Sequence, residues 1–226
     1  LLILPLFNKL TPLPEGELKN RLMRLAENLH FPIAKIYTMD GSRRSAHSNA
    51  FFTGIGKFRH IVFYDTLIQC SSTEEITAIL AHEIGHYRRH HIRTHLLIEA
   101  ATTFLGFAFL YYCSTGDWLL KSFGFDATSE HIFVPLVLIF SVAMPGITFW
   151  FEPFFNHFSR KHEYEADRFT GEVLGECGSL ISGLRKLHKE NLANLTPHPI
   201  FTAFYYSHPT LLERESALRK WEQYER

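Results

Sequence analysis

Several large classes of protein are excluded by what this sequence lacks. Its 23 basic and 23 acidic side chains cancel, counting His as neutral. No positive excess is left to hold a phosphate backbone, so no nucleic-acid partner is expected. Cysteine is scarce: Cys70, Cys113 and Cys177 are odd in number and show no Cys-x-x-Cys spacing. That argues against a disulfide framework and against a thiolate metal cage. No internal repeat or low-complexity tract is present. The chain does not begin with Met. Its first residues, Leu1-Leu2-Ile3-Leu4-Pro5-Leu6-Phe7, have no basic segment before them and no small-residue cleavage site after them. They do not read as a signal peptide. They read as the tail of an apolar segment, and the chain as a fragment of a larger polytopic protein.

Apolar residues are plentiful, at 46% with 21 Phe, and they are concentrated in the middle. Leu96 to Cys113 carries one charge, at Glu99. Ile132 to Phe151 carries none, and at about 20 residues it matches the hydrocarbon thickness of a bilayer. Pro135 and Pro145 are expected to kink it, which membrane helices tolerate. Tyr111, Tyr112, Trp118 and Trp150 lie near the ends, where interfacial aromatics sit. A short loop with Asp117, Lys121, Asp126 and Glu130 joins the two runs. Together they read as a transmembrane helical hairpin, with the lipid bilayer as a partner. The chain divides accordingly into residues 1–95, 96–152 and 153–226.

Around the hairpin the chain is ordinarily charged. Leu18, Leu22, Leu25 and Leu29 recur at helical spacing within residues 11–30, and Pro32 ends that run. Residues 33–68 read as strands: Ile33 to Met39, Ser48 to Thr53 and His60 to Tyr64. Asp40-Gly41-Ser42 and the loop at Gly54 to Lys57 connect them, and an antiparallel β-meander is the simplest arrangement. Ser72 and Glu75 fit a capping box that starts the next helix. From Asn156 the chain is helical and polar, with loops near Pro197 and Pro209 before a charged terminal helix. The fold class is mostly α with a small antiparallel β-meander and a transmembrane helical hairpin.

The capped helix carries His82-Glu83-Ile84-Gly85-His86. Two His four residues apart project from one helix face and can share one cation. Glu83 is turned aside from both and can reach a water beside that ion. Neutral imidazole suits Zn2+, and three protein ligands with an open fourth position suit catalysis. Gly85 lets another segment approach closely. With 14 His in the chain, a chance match is on the order of 5%, so the motif needs a third ligand. Glu163 is the candidate, in His162-Glu163-Tyr164-Glu165-Ala166-Asp167. Asp167 lies four residues on, on the same helical face, and can accept the free ring N–H of a ligating His. His90, His91 and His95 follow the motif on the same helix and read as helix-end or interfacial residues. His47, His60, His131 and His198 are weaker candidates still.

Longer strings add to these motifs. They are Thr11-Pro12-Leu13-Pro14-Glu15-Gly16, Gly41 to Ala50, Ile61 to Leu67, Tyr206-Ser207-His208-Pro209 and Leu211-Leu212-Glu213-Arg214. With the metal motif and Glu163 to Asp167, they make the chain resemble the integral-membrane C-a-a-X prenyl endopeptidases. That resemblance implies a zincin-like α+β core holding one Zn2+ on His82, His86 and Glu163. It implies Glu83 as the catalytic base and Asp167 as the acid behind a ligand. It also implies His208 as the oxyanion stabiliser, Arg214 as a supporting cation and Asn49 on the substrate-pairing edge. The implied substrate is a prenylated peptide or protein. The implied location is the endoplasmic reticulum membrane of a eukaryote or the inner membrane of a bacterium. Two departures stand out: the family has further transmembrane helices before Thr11, and the Gln69–Ser72 loop is short. Two other readings remain open, a quality-control metallopeptidase acting on misfolded membrane proteins and a non-catalytic metal-binding scaffold.

Overall fold

The computed structural model describes residues 4–43, 49–54, 59–125, 132–192 and 194–225. Arg44 to Ser48 with His47, the Ile55 to Lys57 part of the second loop, and Asp126, Glu130 and His131 lie outside those residues. Four strands are described: β1 (Leu10–Pro12), β2 (Lys35–Met39), β3 (Ala50–Thr53) and β4 (His60–Tyr64). The helices are α1 (Leu4–Phe7), α2 (Glu17–Asn28), α3 (Asp65–Cys70), α4 (Thr73–Arg88), α5 (His91–Ser114), α6 (Trp118–Ser122), α7 (Phe133–Phe149), α8 (Glu152–Leu174), α9 (Gly178–Glu190), α10 (Pro199–Tyr205) and α11 (Leu211–Glu225). They fall into two compact units. The first is Leu1–Arg89, Arg160–His198 and His208–Arg226; the second is His90–Ser159 and Pro199–Ser207.

In the first unit the sheet runs in the order β1-β2-β4-β3. This corrects the expected meander. β2 pairs with β4 in parallel, while β1 on β2 and β3 on β4 are antiparallel. The reason lies in the turn after β2. Asp40-Gly41-Ser42 does not fold back as a hairpin; Gly41–Arg43 forms a 3-10 turn. The Ser42 backbone N–H donates to Asp65 Oδ1 at 2.9 Å. Gly41 packs flat on the Tyr64 ring, 2.5 Å from where a Cβ would stand. β3 therefore leaves β2 and returns through β4, whose Ile61, Val62 and Phe63 are buried on both faces, as a central strand requires.

α4 is the axis of this unit. Ser72 Oγ accepts from the Glu75 N–H, and the Glu75 carboxylate accepts from the Ser72 N–H, completing the expected capping box. Every residue from Glu75 to His82 is buried, which is the pattern of a helix enclosed on all sides. One side packs in a core with Leu22, Phe31, Phe63 and Leu67, and Ala78 packs with Leu180, Ile181 and Leu218. Glu75 has a second task. It accepts from Ser182 Oγ and from Lys186 Nζ, both at 2.6 Å, and so ties α9 to the start of α4.

The second unit opens on a break that the sequence reading missed. His90 takes a left-handed backbone, φ 60°, so His90, His91 and His95 do not continue the metal helix, and α5 starts anew at His91. Among the described residues α5, at 24 residues, is the helix long and apolar enough to cross a membrane. α7 is 17 residues and does not reach that length alone. Pro135 sits in the first turn of α7, where its missing N–H breaks no bond, and only Pro145 lies in the interior. α5 and α7 pack together near their connection, through Cys113, Leu136 and Ile139.

Removing the cap oxygen with Ser72→Ala should cost about 1 kcal/mol of unfolding free energy. Glu75→Ala should cost more, because it also strips partners from Lys186 and Ser182. Burial works to raise the Glu75 pKa, but the bonds from Lys186, Ser182 and Ser72 prevail and lower it. Its contribution is therefore present at neutral pH and is lost as pH falls through that lowered value. Denaturant titrations at pH 7 and below pH 4 test this. A Glu75→Ala deficit that does not shrink in acid would count against it.

Candidate metal centre

α4 and α8 bring three ligand-type side chains to one point. His82 Nε2 and His86 Nε2 are 3.2 Å apart. Glu163 Oε1 is 3.2 Å from His86 Nε2, and Glu163 Oε2 is 3.5 Å from His82 Nε2. The helices can approach this closely because position 85 is glycine. A Cβ there would stand 3.1 Å from Ala166 Cα and 3.1 Å from the Phe169 ring.

Behind the ligands is a layer that orients them. Asp167 Oδ1 lies 3.0 Å from His82 Nδ1. With the proton on Nδ1, the Nε2 lone pair is left facing Glu163. Arg214 holds Asp167 with two parallel bonds, Nε to Oδ2 at 2.8 Å and a shorter one to Oδ1. Its other amino group lies 3.2 Å from Glu163 Oε2. Arg214 is itself placed by a second capping box that the sequence reading overlooked. Glu213 N–H donates to Thr210 Oγ1, and Thr210 N–H donates to the Glu213 carboxylate. The Thr-x-x-Glu spacing was the available signal.

Burial disfavours a charged imidazole at His82, but the bonds to Asp167 and Glu163 outweigh it and raise the pKa to about 9. A metal ion must therefore displace a proton from His82 at pH 7. Burial raises the Glu83 pKa against the opposing pull of His82 and His86. It also acts to raise Glu163 and Asp167, yet both are held below the ordinary carboxylate range, Glu163 by the two imidazoles and Asp167 by Arg214. The Arg214 pKa is raised, since Asp167 more than offsets its burial.

These residues fit a divalent cation on three counts. Ligands 2.0–2.1 Å from a tetrahedral zinc stand about 3.3 Å from one another, which the observed spacings bracket. Glu163 Oε2 is buried and accepts no well-formed hydrogen bond, with the Arg214 guanidinium 3.2 Å away as an ion pair, so it keeps a lone pair for a metal bond. With both imidazoles neutral, Glu83, Glu163 and Asp167 face the single guanidinium of Arg214. Two negative charges are then left to balance.

The remaining candidates are placed as follows. His208 Nε2 is 3.5 Å from Glu163 Oε1 with its side chain 64% exposed. Local desolvation lowers its pKa, with Glu163 opposing. Asn49 precedes β3, and its side chain accepts from the Ala50 N–H; no contact joins it to the metal cluster among the described residues. His91 and His162 are buried, which nothing in the sequence signalled.

Known proteins resemble this chain. The chain is 39% identical to a CAAX prenyl protease 1 homolog of Arabidopsis thaliana, covering 96% of this chain and 50% of that one. It is 38% identical to CAAX prenyl protease 1 of Saccharomyces cerevisiae, with the same coverage. It is 34% identical to the Homo sapiens homolog, covering 98% and 54%. A crystal structure of S. mikatae Ste24p superimposes with a TM-score of 0.86 at 37% identity, covering 96% of this chain and 53% of that one. The chain thus spans about half the length of the relatives it matches. The profile of peptidase family M48 matches residues 12–222, a range that takes in every residue of the metal cluster, and the chain belongs to that family.

Proposed function

We propose that the protein is a zinc metalloendopeptidase that cleaves peptide bonds near the C-terminus of prenylated C-a-a-X proteins or peptides. The observation that most supports this is the convergence of His82, His86 and Glu163 with a half-buried carboxylate, Glu83, beside them. The names of the relatives favour prenylated substrates over misfolded membrane proteins. Glu83 favours catalysis over a structural metal site, which has no use for a base.

One Zn2+ held by His82, His86 and Glu163 supplies a Lewis acid that polarises the scissile carbonyl and eases ionisation of water. Glu83 takes the proton of the attacking water and hands it to the leaving amine, a cycle helped by its raised pKa. His208, whose pKa is lowered by local desolvation, donates an N–H to the oxyanion. Asp167 fixes the His82 tautomer, and Arg214 fixes Asp167 and Glu163. Asn49 borders β3, the end strand of the described sheet, where an extended peptide can pair by its backbone.

The reading includes an integral-membrane location, with α5 and α7 as the spanning hairpin. Arg88, Arg89 and Arg93 crowd the start of α5. The connection from 115 to 132 carries Lys121 against Asp117, Asp126 and Glu130. By the positive-inside tendency this places the connection away from the cytosol. The eukaryotic relatives favour the endoplasmic reticulum over a bacterial inner membrane.

Glu83→Gln should abolish cleavage of a farnesylated C-a-a-X peptide while the zinc-to-protein ratio stays at one; retained turnover would remove Glu83 from the mechanism. Glu163→Ala should lower that ratio, measured by metal analysis, and an unchanged ratio points to a different third ligand. An Asn-x-Ser acceptor inserted between residues 115 and 132 should be glycosylated in microsomes. Modification of one placed after residue 190 instead would reverse the orientation.

A further inference from the structure

The two long helices of the second unit do not pack along their whole length. Near their connection they are in contact, with the Phe109 and Phe140 rings 5.9 Å apart and Cys113 buried against Leu136 and Ile139. Away from the connection they part, and a cavity of about 720 Å³ opens between them. Ile98, Leu105 and Phe109 line it from α5, and Met144, Ile147 and Phe151 from α7 and the residues just after it. The α5 side is a stripe at three- and four-residue spacing, a continuous helix face. Gly106 lies on it, and a Cβ there would meet nothing within 4 Å. Two carboxylates, Glu99 and Glu152, and the imidazole of His95 also line the cavity, all at the end remote from the connection.

We infer that this groove receives the isoprenoid chain of the substrate; the inference rests on the functional reading above. Size supports it. From Ile98 to Phe109 the apolar wall runs about 16 Å at the rise of an α-helix. A farnesyl chain has eleven carbon–carbon bonds along its main chain and extends about 14 Å, at roughly 1.25 Å of advance per bond. The volume lies in the range of pockets that bury one small ligand. Charge narrows the choice further. Glu99 and Glu152 outnumber His95 at that end and disfavour a fatty-acid carboxylate or a phospholipid phosphate there, whereas a thioether-linked isoprenoid is neutral. Met144 gives a wall that adapts to the methyl branches.

The test uses the whole protein in lipid nanodiscs and a farnesylated C-a-a-X peptide with a diazirine on the isoprenoid. Irradiation should place adducts within residues 98–109 and 144–151. Adducts confined to other segments would overturn the assignment, as would equal labelling by a diazirine fatty acid. Adducts absent because another segment of the protein fills the groove would do the same. Gly106→Leu projects a side chain into the open space and should lower the ratio of kcat/KM for the farnesylated peptide to that for an unlipidated peptide at least tenfold. An unchanged ratio, or an equal loss on both peptides, also overturns it. A wild-type protein that cleaves no C-a-a-X peptide would remove the functional reading itself. Cleavage without labelling in the groove would remove only this inference.

Discussion

Ionisable side chains taken out of water must find their partners among themselves, and in this protein the partnerships meet at Asp167. Its carboxylate takes both arms of Arg214 and the Nδ1 side of His82, and Arg214 reaches on to Glu163. Removing one member of such a buried set leaves a charge uncompensated, at a cost of about 3–5 kcal/mol. The network therefore does more than orient a ligand. It fixes α4, α8 and α11 against one another, since each contributes charges that the other two must answer. The core of Leu22, Phe63 and Leu80 drives the unit together without specifying where the helices stop. The charged set supplies the stop.

α4 carries both functions at once. Its first turn is clamped by Ser72, Ser182 and Lys186 through Glu75, and its third turn bears His82. A helix held at its start and packed on all sides has little freedom to rotate, so the two imidazoles keep a fixed aim. The geometry of the His82 and His86 pair is a consequence of how the helix is enclosed.

What could be read from the sequence was local. The start of α4 is decided by three residues on either side of the cap, and Ser72 and Glu75 declared it. Strand β4 was found at its true limits because a short apolar run bounded by turns has few other uses. The pairing of strands was misread, because whether β2 meets β3 or β4 depends on Asp65 reaching back to Ser42 across 23 residues. The left-handed backbone at His90 left no trace, since no glycine or asparagine marks it. Glu163 and Asp167 were legible as a helical pair, and the need of His82 and His86 for a third ligand already pointed to them, which the resemblance reinforced. The groove between α5 and α7 was hidden, because its lining has the same composition as a packed helix pair.

The contact at Gly85 changes how the metal motif should be written. In its usual form the motif leaves two positions unspecified between Glu83 and His86. Here the second of them is set by the partner helix. A methyl group at residue 85 would press on the Ala166 backbone, and Glu163 lies one helical turn before Ala166. A displacement of a few tenths of an ångström there carries directly into ligand spacings of 3.2 and 3.5 Å. For sites whose third ligand arrives on a tightly packed helix, the search pattern gains a fourth informative letter. Demanding a small residue at that position discards many of the chance matches that a His-rich chain produces.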